Sequence, residues 1–140
     1  MKPIPYQPEI RFSDIDAMGH VNNAVYFSYL EQARIHFFRA LVGIEWNWRD
    51  QGILVAHNEI DYKAPILLND LIHIDVYPTH IGNRSFTLEY RLERIHPVPA
   101  TCSRARSILV CFNYENRQTI PLPDAWRRAF EGVQQLPSAT

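Results

Sequence analysis

Only two cysteines, Cys102 and Cys111, occur among the 140 residues, and no CxxC spacing joins them. That excludes a disulfide framework and the common cysteine-based metal and redox motifs, and leaves both thiols as ordinary strand residues. An excess of charge of one sign is missing too: 14 Lys and Arg stand against 15 Asp and Glu, a formal net charge of -1. No global field therefore draws the chain to nucleic acid or an anionic membrane, and an anionic ligand must be met by a local basic cluster. No apolar run approaches the length of a bilayer span, and the opening MKPIPYQPEI lacks the apolar core of a signal peptide. The expected location is cytoplasmic. Repeats, low-complexity tracts and linker-like shifts in composition are absent as well. The reading is one domain over 1–140, ending in a loose tail at 134–140.

What is present is a clear change of hydrophobic period along the chain. Gln7 to Ser13 reads as a short strand. From Asn23, the positions Tyr26, Leu30, Ala33, Phe37 and Leu41 recur at helical steps. Val25, Tyr29 and Phe38 widen that stripe, which predicts a long helix buried on several sides and stopping at Gly43. Leu54 to Tyr62 reads as a strand. Ile72, Ile74 and Val76 then alternate with polar residues, as do Phe86, Leu88, Tyr90 and Leu92 after the turn signal Gly82-Asn83, and a proline-rich loop leads into Ile108, Val110, Phe112 and Tyr114, the last alternating series. Pro123 and Asp124 open a short terminal helix. The pattern is α+β, with too few helices to cover both faces of the sheet. Dimerisation through an open face or edge is the simple remedy.

The stretch DIDAMGHVNN, from Asp14 to Asn23, carries the chemistry. As plain structure it is a hydrophilic turn capping the helix, with Asn22 and Asn23 as caps, but that leaves His20, Gly19 and the second aspartate unused. A metal site built from Asp14, Asp16 and His20 matches no established ligand spacing. The third reading uses the helix start. Backbone amides at Val21 to Ala24 lack intrahelical partners, and with the helix dipole they would stabilise an oxygen gaining negative charge. A carboxylate folded back beside them by a glycine turn suits acyl transfer from an activated electrophile. A thioester, whose thiol has a pKa of about 8.5, is such an electrophile.

The run RFSDIDAMGHVNNAVYFSYLEQAR, the following EIDYKAP strand and the GNRSFTLEYRL strand together resemble the hot-dog-fold acyl-CoA thioesterases of the 4-hydroxybenzoyl-CoA thioesterase-like family. The likeness extends from about Arg11 to Pro123. It implies a five-stranded antiparallel sheet wrapped around the long helix, with side-by-side homodimers, often paired into homotetramers, and active sites at the dimer interface. It also implies Asp16 as the catalytic carboxylate, nucleophile or general base, with Asp14 supporting it. The backbone amide of Asn23 would hold the thioester oxygen, and Gly19 would allow close approach of the loop. The run His20 to Asn23 is also similar to acyl-carrier-protein thioesterases of plastids, whose matching histidine is catalytic. Gly19 directly before His20, and Met18 where an asparagine would stand, depart from that pattern and make His20 an auxiliary.

Coenzyme A phosphates call for local cations, for which Lys63, Arg84, Arg91, Arg104 and Arg106 are candidates, with polar backbone at Asn83 to Ser85. Asn22 and Tyr26 border the expected cleft, Tyr29, Phe27 and Trp46 could help Tyr26 line an acyl slot, and His57 and Asn58 would enter from the second strand. Glu31 and Arg34 read as an i,i+3 ion pair. The expectation is hydrolysis of acyl-CoA without metal or organic cofactor, coenzyme A being part of the substrate, with no nucleic acid and no membrane span. The rivals are a non-catalytic acyl-thioester-binding dimer, an acyl-carrier-protein thioesterase and a metal-dependent hydrolase.

Overall fold

The computed structural model describes residues 4–133, and the expected loose tail at 134–140 lies outside them. A 3-10 turn at Phe12–Asp14 leads into the long helix α1, Val25–Val42. The strands β1 (Gly52–Tyr62), β2 (Leu71–Thr79), β3 (Ser85–His96), β4 (Ala100–Asn113) and β5 (Gln118–Thr119) follow, and α2 (Asp124–Glu131) closes the described chain. The sheet runs in the order β1-β4-β3-β2 with every pair antiparallel, and β5 pairs with the end of β4.

Alternation puts Phe86, Leu88, Tyr90 and Leu92 of β3, Ile72, Ile74 and Val76 of β2, and Ser103, Ser107, Leu109 and Cys111 of β4 out of solvent. Together they meet Tyr26, Tyr29, Leu30, Ala33, Phe37 and Phe38 of α1 in one core. Trp126 of α2 is fully buried against Phe38, Trp46, Trp48 and Phe86, closing one end of that core. Cys102 and Cys111 are free and buried in β4. Burial pushes the Cys102 thiol up and the Cys111 thiol up to about 11.

The two sheet edges differ. Tyr6 covers β2 through a pair of backbone hydrogen bonds with Ile74, of 2.9 and 2.8 Å. β1 is the other edge; Ile53 and Ile60 pack against the core, while Leu54 is 40% exposed, Val55 42% and Tyr62 42%. A register shift interrupts it between Val55 and His57.

Three expectations needed correction. Residues 7–13 form no strand, because Pro5 and Pro8 lack ladder donors and the segment turns into the 3-10 helix; the fifth strand is β5. β4 begins at Ala100, well before Ile108, because its inward residues Ser103, Ala105 and Ser107 are small and leave no apolar series to read. Glu31 and Arg34 form no ion pair. The Arg34 guanidinium turns inward and donates to the Tyr90 hydroxyl at 3.1 Å.

Candidate active site

The loop between the 3-10 turn and α1 is a small hairpin. Ile15 and Val21 face each other as an isolated antiparallel bridge. The Asp16 amide donates to the His20 carbonyl at 2.9 Å, and the Gly19 amide donates to the Asp16 carbonyl at 3.0 Å. Gly19 holds φ at 86°, the left-handed region in which a side chain is strained, which is why glycine stands there. One Asp16 carboxylate oxygen accepts the Met18 amide at 2.9 Å. The other has no partner among the described residues, and the side chain is half-buried at the mouth of the turn.

Asp14 is placed quite differently. It is 3% exposed and accepts hydrogen bonds from the Tyr29 hydroxyl at 2.8 Å and the Arg11 amide at 3.0 Å. The Arg11 guanidinium lies 3.4 Å from its second oxygen. Desolvation works against its charge, but the Arg11 amide, the Tyr29 hydroxyl and the Arg11 charge outweigh that and hold the carboxyl below its ordinary range. Its oxygens are thus spent on anchoring, and its carbonyl accepts the Asn22 amide at 2.9 Å.

The helix start supplies the other half of the site. The Val21 amide donates to the Ile66 carbonyl at 2.8 Å, and the Ala24 amide to the Asn22 side-chain oxygen at 2.9 Å. With Asn22 bound to Asp14, the Asn23 amide is the one from Val21 to Ala24 that has no acceptor among the described residues. It sits at the positive end of α1. The helix begins at Val25 behind Ala24, later than Asn23, because Asn22 spends its side chain and carbonyl on the amides of Ala24 and Val25.

A pocket of about 220 Å³ opens at this point, lined by His20, Val21, Asn23, Tyr26, Tyr62, Lys63, Ala64 and Pro65. Tyr62 donates its hydroxyl to the Asn23 carbonyl at 2.9 Å and meets Tyr26 edge-on, with ring centroids 4.9 Å apart. Burial, with a smaller contribution from Cys102, pushes the Tyr26 phenol up to about 12, so it stays neutral near pH 7. Tyr62 was not a sequence candidate. Its position at the inner end of β1 follows the strand period, but its bond to a loop 39 residues away leaves no local signal.

Of the other candidates, Gly19 and Asn22 shape the loop, while His20, Asn23, Tyr26 and Lys63 line the pocket. His57 and Asn58 lie near the middle of β1. His57 Nε2 stands 3.5 Å from Glu59 Oε1, and Asn58 accepts the Ser107 hydroxyl at 2.6 Å. Arg84 and Ser85 are at the start of β3, whose register through Val110 to Leu54 places them at the opposite end of the sheet from Tyr62. The Arg84 guanidinium bonds the Thr119 carbonyl at 2.9 Å. Arg91, Arg104 and Arg106 alternate with the buried series and point to the outer sheet face. Trp46 packs on Trp126 and lines neither this pocket nor the larger apolar cavity, where Trp48 stands instead.

A family model described as the thioesterase-like superfamily matches residues 10–130. The chain belongs to that superfamily. Its antiparallel sheet around one long helix is the hot-dog fold of those enzymes. Relatives within the superfamily include the 1,4-dihydroxy-2-naphthoyl-CoA hydrolase of Synechococcus elongatus, 35% identical over 89% of this chain and 92% of that protein. The long-chain acyl-CoA thioesterase FadM of Escherichia coli is 25% identical over 89% of this chain and 95% of its own length. A Thermus thermophilus thioesterase solved with coenzyme A and Zn is 34% identical, aligns over 93% of each chain and has a TM-score of 0.78.

Proposed function

We propose that this thioesterase-superfamily chain hydrolyses acyl-CoA thioesters to the free acid and coenzyme A, with Asp16 as general base or nucleophile. The observation that carries this reading is the unpaired Asn23 amide, which lines the pocket two residues beyond the hairpin that holds the half-free Asp16 carboxylate outside that lining. In the general-base form, Asp16 takes a proton from water as the water oxygen bonds to the thioester carbon. The carbonyl oxygen becomes an oxyanion held by the Asn23 amide and the α1 dipole. Collapse breaks the C–S bond, and the departing thiolate receives the proton. As nucleophile, Asp16 would instead form a mixed anhydride, which water then opens. His20 borders the pocket and orients the water. Lys63 is the cation within reach of the substrate from the same chain. Arg84 and Ser85 could meet that substrate only from a second chain.

The working unit in this reading is a cytoplasmic homodimer, joined along the uncovered β1 edge and free to pair into a tetramer. The reading uses no metal. The test is thiol release by the purified protein from a panel of short, long and aromatic acyl-CoAs, with and without chelator. Turnover that peaks on one acyl class and ignores the chelator is the expected outcome. Saturable binding with no thiol released would overturn it in favour of a non-catalytic binder, and chelator-sensitive release would point to a metal enzyme.

A further inference from the structure

The Asn23 amide can hold an oxyanion only if the segment Val21 to Asn23 is itself held. Within the loop, the Ile15–Val21 bridge and the bond from the Asn22 amide to the Asp14 carbonyl do this. From outside, Tyr62 reaches the Asn23 carbonyl, and the Ile66 carbonyl accepts the Val21 amide at 2.8 Å. That last acceptor lies outside the strands, in residues 65–70 between β1 and β2. Its own position needs a cause.

The cause is an ion pair that approaches from behind. Asp70 Oδ2 and Arg94 Nη1 are 3.4 Å apart, with the two side chains only 6% and 15% exposed. Asp70 Oδ2 also accepts the Leu67 amide at 2.9 Å, and that N–H belongs to the same peptide group as the Ile66 carbonyl. Val21, the Ile66–Leu67 peptide, Asp70 and Arg94 thus form one hydrogen-bonded series. A carboxylate that draws on the N–H of a peptide polarises its C=O, which strengthens the bond to the Val21 amide. The guanidinium secures the other end. Its Nη1 donates to the Pro65 carbonyl at 3.1 Å and its Nε to the Val98 carbonyl at 2.6 Å. Arg94 so ties residues 65–70 to the turn between β3 and β4, and Gly19, Leu67 to Asp70, His96 and Pro97 border one cleft where hairpin, loop and turn meet. A buried ion pair adds little net stability over an apolar pair of the same volume, so stability alone does not account for it.

Resting on the hydrolase reading above, we infer that Asp70 and Arg94 are positioning residues: through the Ile66–Leu67 peptide they set the Val21 amide, and with it the Asn23 amide, against the oxyanion of the reaction. Neither side chain touches the substrate. Their contribution appears when the oxyanion forms and is absent from ground-state binding.

The test has two readouts. The first is the Val21 amide proton, followed by NMR in the full chain with no substrate present. Asp70→Asn keeps an oxygen for the Leu67 amide but removes the charge, and should move that proton upfield and speed its exchange. Arg94→Gln should do the same, while the Tyr6 amide at the far edge of the sheet keeps its position in both. The second readout is steady-state thiol release. Each variant should lose roughly tenfold in kcat with KM changed by less than about twofold, and the double variant should be no worse than the poorer single one, because the pair acts as a unit. Should Arg94→Gln fail to fold, Asp70→Asn carries both readouts. A Val21 proton that stays in place in a folded variant would overturn the inference. So would a lower melting temperature with kcat unchanged, a rise in KM alone, or single losses that multiply in the double variant. A wild-type protein silent on every thioester would remove the hydrolase reading and the catalytic part of this one, whereas the shift at Val21 decides by itself whether the pair governs the hairpin.

Discussion

Two aspartates two positions apart share a residue type and differ in everything else. Asp14 is enclosed by Tyr29 and Arg11, while Asp16 keeps one oxygen uncommitted. Asp16→Asn should therefore lower turnover roughly 10²-fold with an unchanged melting temperature, as read by steady-state thiol release and a thermal scan. Asp14→Asn should cost about 1–3 kcal/mol in urea unfolding, because it weakens charge-assisted bonds inside the fold. Since the folded-state pKa of Asp14 lies below the ordinary 3.8, its contribution is present above that value and lost as the pH falls through the lower one. The acid limb of the wild-type stability curve should consequently flatten in Asp14→Asn. The spacing of DID marked the loop as a candidate site, but could not say which carboxylate is anchored. That depends on the Tyr29 hydroxyl arriving from about one turn into α1, 15 residues away.

At the scale of elements, the candidate hairpin is stiffened from three sides: by Gly19 within it, by Ile66 behind it and by Tyr62 at the end of β1. A Cβ at Gly19 would meet nothing within 4 Å, so Gly19→Ala should cost only the backbone strain, about 1–2 kcal/mol in a denaturant melt, and Gly19→Asn less. Tyr62→Phe removes one hydrogen bond of about 1 kcal/mol to the Asn23 carbonyl, and should lower kcat/KM about fivefold if that bond holds the amide in position. The elements themselves were legible wherever side chains alternate sharply, as in Ile72 to Val76 and Phe86 to Leu92. They faded where small or polar residues face inward, as at Ser103 to Ser107. The helix stripe from Tyr26 to Leu41 was plain, but its N-terminal boundary was set by Asn22 side-chain chemistry rather than by period.

For the whole molecule, the proposed dimer turns on β1. A monomer leaves an apolar edge in water, so the melting temperature should rise with protein concentration, and Val55→Lys should shift sedimentation toward the 16.4 kDa chain and abolish turnover together. Unchanged mass with full activity would remove the edge from the assembly. The expectation of a partner came from the count of helices; which edge is open could not be read that way, since only the Tyr6–Ile74 pairing shows that β2 is the covered one. The two cysteines of β4 bring a practical consequence. Because both thiols are buried and shifted upward, the native protein should consume almost none of a colourimetric thiol reagent, and the colour would count released coenzyme A alone. With no substrate present, the same reagent becomes a clock, its slow uptake timing how often β4 comes apart.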